Sequence, residues 1–245
     1  MVFPQYKGKH LQEALFHPKD YVAYHKIGAR IPDSVIILYD ADLLHRTARR
    51  HALKPTGPKL SGYDLYSIQG VGVAHMHGIG SPHAVGFVED LIAQGARRFI
   101  SIGTAGGLSK EGVFLCNKAL RDEGTSHHYL RHGRFSYPDK RLTSSLGKSM
   151  TQNGIDFGRK PTWTIDAPYR ETKKEIEKYT KEGIATVDME ASALFALGKV
   201  RRVRVAAAFA VSDVLGKKWN PQFEHINLKR SLDSLFDAAF DCLRR

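Results

Sequence analysis

Glu190 and Asp213 are the residues whose type and spacing point most directly to chemistry. Each follows a short apolar run, and one helix-forming segment, MEASALFALGKV, lies between the two runs. Two carboxylates can divide labour on one small molecule: one accepts hydrogen bonds or faces a developing positive charge, while the other shares a proton with a leaving group. That division requires both side chains to reach a single crevice.

The elements that must position them lie within residues 186–215. TVD reads as a strand ending near Asp188, and MEASALFALGKV as a helix apolar around nearly its whole circumference, so it has no solvent face. VAAAFAV reads as a second buried strand, parallel to the first because a helix intervenes. Ligands in open α/β sheets bind beyond the carboxyl ends of strands, so Glu190 and Asp213 are expected to share a crevice. The plainer alternative makes Glu190 a first-turn helix acid and Asp213 a loop cap.

The chain has 245 residues, room for a substantial core, and no linker or repeat. A single domain over 1–245 is expected, with 1–34 as an irregular arm. No apolar run approaches the roughly 20 residues of a membrane span, so no membrane association is expected. The segment MVFPQYKGKH lacks the charged-then-apolar pattern of a secretory signal. Cys116 and Cys242 form neither a disulfide framework nor a metal pattern, and the expected location is the reducing cytoplasm. Lys plus Arg number 37 against 25 Asp plus Glu, a formal charge of +12. These charges are spread along the chain, which reads as a solvated basic surface rather than a nucleic-acid-binding block.

Further elements follow in order. SVIILYDAD is a buried strand leading into acidic residues, LLHRTARRHAL a helix ended by Pro55, and KPTGPKLSGYD a loop. Two strand-like runs flank Gly70. Ser81 and Pro82 supply an N-cap and first helical position for AVGFVEDLIAQGA, closed by Gly95. RRFISIGTAGGLS reads as a four-residue strand and then a glycine turn, Gly103 to Gly107, whose small residues let a ligand approach backbone donors. RDEGTSHHYL has the composition of a site rim or subunit contact. His127 and His128 lack a third ligand at suitable spacing, so no metal is predicted. In KPTWTIDAPYRET a strand runs into a loop whose Tyr169 and Arg170 suit stacking on a planar heterocycle. A charged helix occupies 171–182, and Leu228, Leu232, Leu235, Ala239 and Leu243 mark a C-terminal helix packed on the sheet.

The segments GIGSPHAVGFVEDLIAQGARRFISIGTAGG, RDEGTS, VDMEASALFA and VSD, in this order and spacing, resemble the nucleoside phosphorylase family, which includes purine nucleoside phosphorylases, uridine phosphorylases and related nucleosidases. The resemblance implies a three-layer α/β/α fold around a mixed, partly barrel-like sheet, assembled as a dimer or hexamer. It implies no cofactor, with a nucleoside as substrate and inorganic phosphate as default co-substrate. By resemblance Met189 and Glu190 contact ribose, Asp213 assists the leaving base, and Thr104 with Gly103 holds the nucleophile. Ala105, Gly106, Tyr169 and Arg170 would line the base, and His25 would reach the sugar in a neighbouring subunit.

The chain departs from the family at phosphate. Phosphorylases carry one arginine after the first strand and another just before the Gly-Thr segment; here those positions hold Leu43 and Ser101. Arg46, Lys54 and Lys59 are the nearby candidates to compensate. Two alternatives follow: a nucleosidase that uses water, and a non-catalytic nucleoside or nucleic-acid binder. Purine is the favoured base because uridine-specific members generally lack the aspartate at position 213, although RDEGTS resembles a segment of theirs.

Overall fold

A computed structural model describes residues 4–27, 31–56, 63–216 and 218–244. The N-terminal half contains α1 (Pro18–Tyr24), β1 (Ser34–Leu38), α2 (Ala41–His51), β2 (Lys54–Pro55), β3 (Tyr63–Ile68), β4 (Val71–Met76) and α3 (Ser81–Ala93). Next come β5 (Arg98–Gly107), β6 (Val113–Asp122), α4 (Ser126–Tyr129), β7 (Phe135–Ser136), α5 (Lys140–Gln152) and β8 (Gly158–Ile165). The chain ends with α6 (Lys173–Lys181), β9 (Thr186–Asp188), α7 (Ala191–Arg201), β10 (Arg204–Leu215), β11 (Trp219–Pro221) and α8 (Ile226–Leu243).

The strands form one mixed sheet between two helical layers. Val35 and Ile37 of β1 face a core shared with α3 and α7, whereas Ile36 and Leu38 face a core shared with α2, α5 and α8. Both faces of the central strands are therefore covered, which is why they read as continuous apolar runs rather than alternating ones. Part of the sheet closes on itself: β5 pairs with β10, β10 with β6, β6 with β8, β8 with β9, and β9 returns to β5. The expected three-layer, partly barrel-like architecture is present. Among the described residues, no helix is long and apolar enough to cross a membrane.

β5 is the strand that positions the site. Its first half, Arg98 to Ile102, pairs with β1, whereas Gly106 and Gly107 pair with β9 on that same side. Residues 103–105 lie where one neighbour has stopped and the next has not begun, so their backbone on that edge has no strand partner among the described residues. On the opposite side β10 runs unbroken past all of them. A sheet that exchanges neighbours in mid-strand must open there, and the opening is lined by backbone polar groups free to meet a ligand.

Several sequence expectations are corrected. Residues 1–34 are not wholly irregular: Pro18–Tyr24 is a helix started by Pro18 and by reciprocal bonds between His17 and Asp20. The expected glycine turn after Ile102 is instead strand continuing to Gly107. Those glycines serve close packing: a Cβ on Gly106 would lie 2.9 Å from Val187 Cγ1, and one on Gly107 would lie 2.4 Å from the Lys110 carbonyl oxygen. The N-cap of α3 is Gly80 at φ 99°, with Ser81 as the first helical residue. A residue with a side chain is disfavoured at that dihedral angle. The second helix ends at His51, with Ala52 in a left-handed conformation, and Lys54–Pro55 then pairs with β3.

The β9–α7–β10 unit is not the expected crossover between adjacent parallel strands. β9 is antiparallel to β5 while β10 is parallel to it, so β5 stands between them. Barrel closure overrides the right-handed βαβ expectation because β9 is only three residues long and pairs with the far end of β5. RDEGTS is also not a rim. Arg121, Glu123 and Ser126 are buried. Arg121 donates to Ser126 Oγ and to the carbonyls of Arg131 and Gly133, while Ser192 Oγ and the Ser126 amide donate to Glu123. These buried charges are satisfied by serine side chains and backbone groups, linking the start of α4 to α7, which composition alone could not distinguish from a polar edge.

Candidate functional site

A cleft of about 920 Å³ opens at the neighbour exchange on β5. Gly103, Thr104, Ala105 and Gly106 form one wall, Met189 and Glu190 another, and Asp213 a third. The two carboxylates identified first in the sequence therefore do line one cavity, although they flank β5 rather than ending adjacent strands.

Glu190 is held by backbone geometry at Gly80, 110 residues earlier in the chain. The positive φ of Gly80 presents its amide, which donates to Glu190 Oε1 at 2.5 Å, and Ser81 Oγ donates to the Met189 carbonyl at 2.7 Å. Asp188 sets the start of α7: its Oδ2 accepts from the amides of Glu190 and Ala191, and its Oδ1 accepts from Thr162 and Thr164 hydroxyls. Asp188, rather than Glu190, thus satisfies the open amides of the helix start. Burial, then the nearby Asp188 carboxylate, pushes the Glu190 carboxyl up to about 8. A carboxyl raised to that value is mainly neutral at neutral pH.

Asp213 lies within β10, beside an irregularity in its pairing with β5 between Val211 and Asp213. Its Oδ1 accepts from Ser212 Oγ at 2.9 Å and its Oδ2 from Trp219 Nε1 at 2.8 Å. β11 folds back on β10 to bring Trp219 there, with Phe223 beside it in the cleft wall. Glu171 lines the same cleft and is raised to about 7 by burial, then by the charge of Asp213. Glu171 can therefore hold or release a proton near neutral pH beside Asp213.

Tyr39 forms the remaining wall. It follows β1, its hydroxyl lies 2.9 Å from Ser101 Oγ, and its ring packs against Gly103, where a Cβ would meet Tyr39 Cδ2 at 3.1 Å. Burial and then Glu190 push its phenol well above the usual tyrosine range, so it is a neutral hydroxyl group.

Residues 35–244 match the sequence profile of the Phosphorylase superfamily. The chain belongs to that superfamily. A purine nucleoside phosphorylase from Plasmodium vivax is 25% identical over 181 residues, covering 69% of this chain and 72% of that protein. A uridine phosphorylase from Treponema pallidum is 31% identical over 150 residues, covering 55% of this chain and 58% of its own length. Among solved structures, a Toxoplasma gondii purine nucleoside phosphorylase in complex with immucillin-H superposes with a TM-score of 0.76 at 20% identity, covering 95% of this chain and 96% of that one. An AMP nucleosidase from Bacteroides thetaiotaomicron gives 0.71 at 23% identity, covering 86% and 89%.

In this superfamily member Tyr169 is at the cleft mouth and fully exposed, whereas Trp163 is wholly buried in the core with Tyr179. Arg170 is exposed and is not among the cleft-lining residues. His25 caps α1 with its ring 4.4 Å from that of Tyr21, and it too is outside this chain's cleft. Leu43 is core, not a ligand contact. Arg46 is taken up by Asp233 and Asp42, Lys54 sits exposed on β2, and Lys59 lies outside the described residues.

Sequence reasoning missed Tyr39, Glu171, Trp219 and Phe223. Tyr39 was visible as the bulky residue between the first strand and Asp40; Glu171 and Phe223 reach the cleft from loops and Trp219 from the short strand β11, none of them placed by periodicity.

Proposed function

We propose that this chain hydrolyses the N-glycosidic bond of a nucleoside, purine favoured, with water as nucleophile. The observation that carries the choice of water is the Tyr39–Ser101 pair. Where the family resemblance places arginine forks, a neutral phenol is hydrogen-bonded to a serine and packed against Gly103. A phosphate dianion is normally held by guanidinium groups or several backbone donors. Among the described residues lining the cleft there is no arginine, while Glu171, Asp188, Glu190 and Asp213 are all acidic. No guanidinium is at hand there for an anion, and carboxyl oxygens face a sugar acquiring positive charge.

In this reading Met189 packs against ribose and Glu190 accepts from its hydroxyls. A carboxyl acceptor at the sugar is attracted more strongly as positive charge develops there, so the contact with Glu190 is strongest in the transition state. Asp213, sharing its neighbourhood with Glu171, supplies or shares the proton that the departing base needs. The base lies along Ala105 and Gly106 under Tyr169, and Trp219 covers Asp213. Thr104 and Tyr39 offer hydroxyls that orient the attacking water. The nucleoside phosphorylases among the curated relatives support a nucleoside substrate.

Phosphate is the second reading, favoured by Lys173 and Lys218 at the cleft wall. Purified protein incubated with inosine, adenosine, guanosine and uridine, with and without phosphate, separates the two. Free ribose released at a phosphate-independent rate is the expected result. Ribose 1-phosphate, at a rate rising with phosphate, overturns the choice of water; no turnover of any nucleoside leaves the binding-protein alternative.

A further inference from the structure

On the far side of β1 from β5, the β3–β4 ribbon carries a cluster that the nucleoside cleft does not use. Asp64 of β3 is paired in register with His75 of β4, and His77 follows two residues later. Cross-strand partners and residues two apart project from the same face of a sheet. One ligand atom from each of the three side chains lies within 4.8 Å of the others.

We propose that Asp64, His75 and His77 bind a divalent transition-metal ion. Two imidazoles and one carboxylate suit zinc, iron(II), cobalt or nickel, whereas magnesium and calcium prefer oxygen donors throughout. His77 Nε2 already lies 2.9 Å from Asp64 Oδ2, so two of the three donors are brought together. Donor atoms around one tetrahedral zinc ion stand about 3.4 Å apart, roughly 1.6 times the bond length, so binding draws the donors together by up to about 1.4 Å through rotation of the partly exposed Asp64 and His77 side chains.

A second observation points to a ligand. His75 is more than nine-tenths buried, and among the described residues its Nδ1 has no hydrogen-bond partner. Buried polar side-chain atoms are nearly always satisfied, and a buried ring nitrogen left without a partner is open to a cation. Asp40 and His45 are close enough to influence the same ring and add negative charge and a further imidazole to its surroundings. Three protein donors leave at least one coordination position for water.

The location gives the ion a structural role. From His77 the chain passes through Gly78 and Ile79 to Gly80, whose amide holds Glu190, and Ile79 lines the cleft. An ion that fixes the end of β4 also fixes the first residue of that connection.

The test uses untagged full-length protein freed of metal by chelator and titrated with zinc chloride by calorimetry, with elemental analysis after dialysis. The expected result is one zinc per chain, with a Kd of about 1 µM or tighter, and a higher melting temperature. Cobalt(II) should give visible d–d bands. The double variant Asp64→Asn, His77→Ala, altered at two partly exposed positions, should weaken zinc about 100-fold and abolish those bands while retaining its far-UV circular dichroism. Absence of zinc uptake by the wild type, or unchanged stoichiometry and affinity in the double variant, overturns the proposal. The readouts do not involve nucleoside turnover, so the outcome is independent of the reaction proposed for the cleft.

Discussion

Replacing Glu190 with Gln removes a titration without removing the acceptor used by the Gly80 amide, so its effect on stability reports the electrostatics of the cleft. The folded carboxyl is raised from an ordinary value of 4.5 to about 8 by burial and Asp188. Between those values the folded chain holds one more proton here than the unfolded chain. The stabilisation associated with that proton is fully present below the unfolded value and is lost as pH rises through the folded one, by about 1.4 kcal/mol per pH unit. Across the whole window the loss approaches about 5 kcal/mol, a large fraction of a typical domain's stability. The Gln variant has no such term. Urea unfolding of both proteins at pH 5.5 and pH 8.5 should show the variant gaining roughly 3 kcal/mol on the wild type between the two conditions. Contributions from other groups largely cancel in that difference. Parallel stability curves, with a relative change below about 0.5 kcal/mol, would refute the burial and the Asp188 coupling inferred for this carboxyl.

Two further predictions address the leaving-group acid and the packing of β5. Asp213→Asn should lower kcat/KM for purine nucleosides by about 100-fold or more, the usual scale for losing a general acid, while the protein remains folded; near-normal turnover removes the assigned role. Gly107→Ala places a methyl group 2.4 Å from the Lys110 carbonyl oxygen and 3.0 Å from Val211 Cγ1. It should cost about 1–3 kcal/mol, seen as a lower urea midpoint, and an unchanged midpoint contradicts the close packing of β5.

Much of this protein was legible in one dimension because its signals are local. The apolar runs of β1 and β10 follow from strands buried on both faces, and the all-round apolarity of α7 follows from a helix enclosed between β10 and α3. The leucine spacing of α8 records its packing face. Glu190, Asp213 and the stretch from Gly103 to Gly106 were selected for their chemistry, and all of them line the cleft.

What only the tertiary structure decided was how those pieces meet. Sequence periodicity says which residues of a strand are buried, not which strand lies alongside, so β9 was expected next to β10 instead of across β5 from it. The same limit hid the identity of the glycine segment: Gly106 and Gly107 are small because β9 and the Lys110 backbone crowd them, a constraint imposed by residues distant in space or by the return of the chain. It also hid Tyr39, whose neighbours Ser101, Gly103 and Glu190 come from different parts of the chain. Residue type set the available chemistry, and long-range strand pairing determined which of those groups face one another.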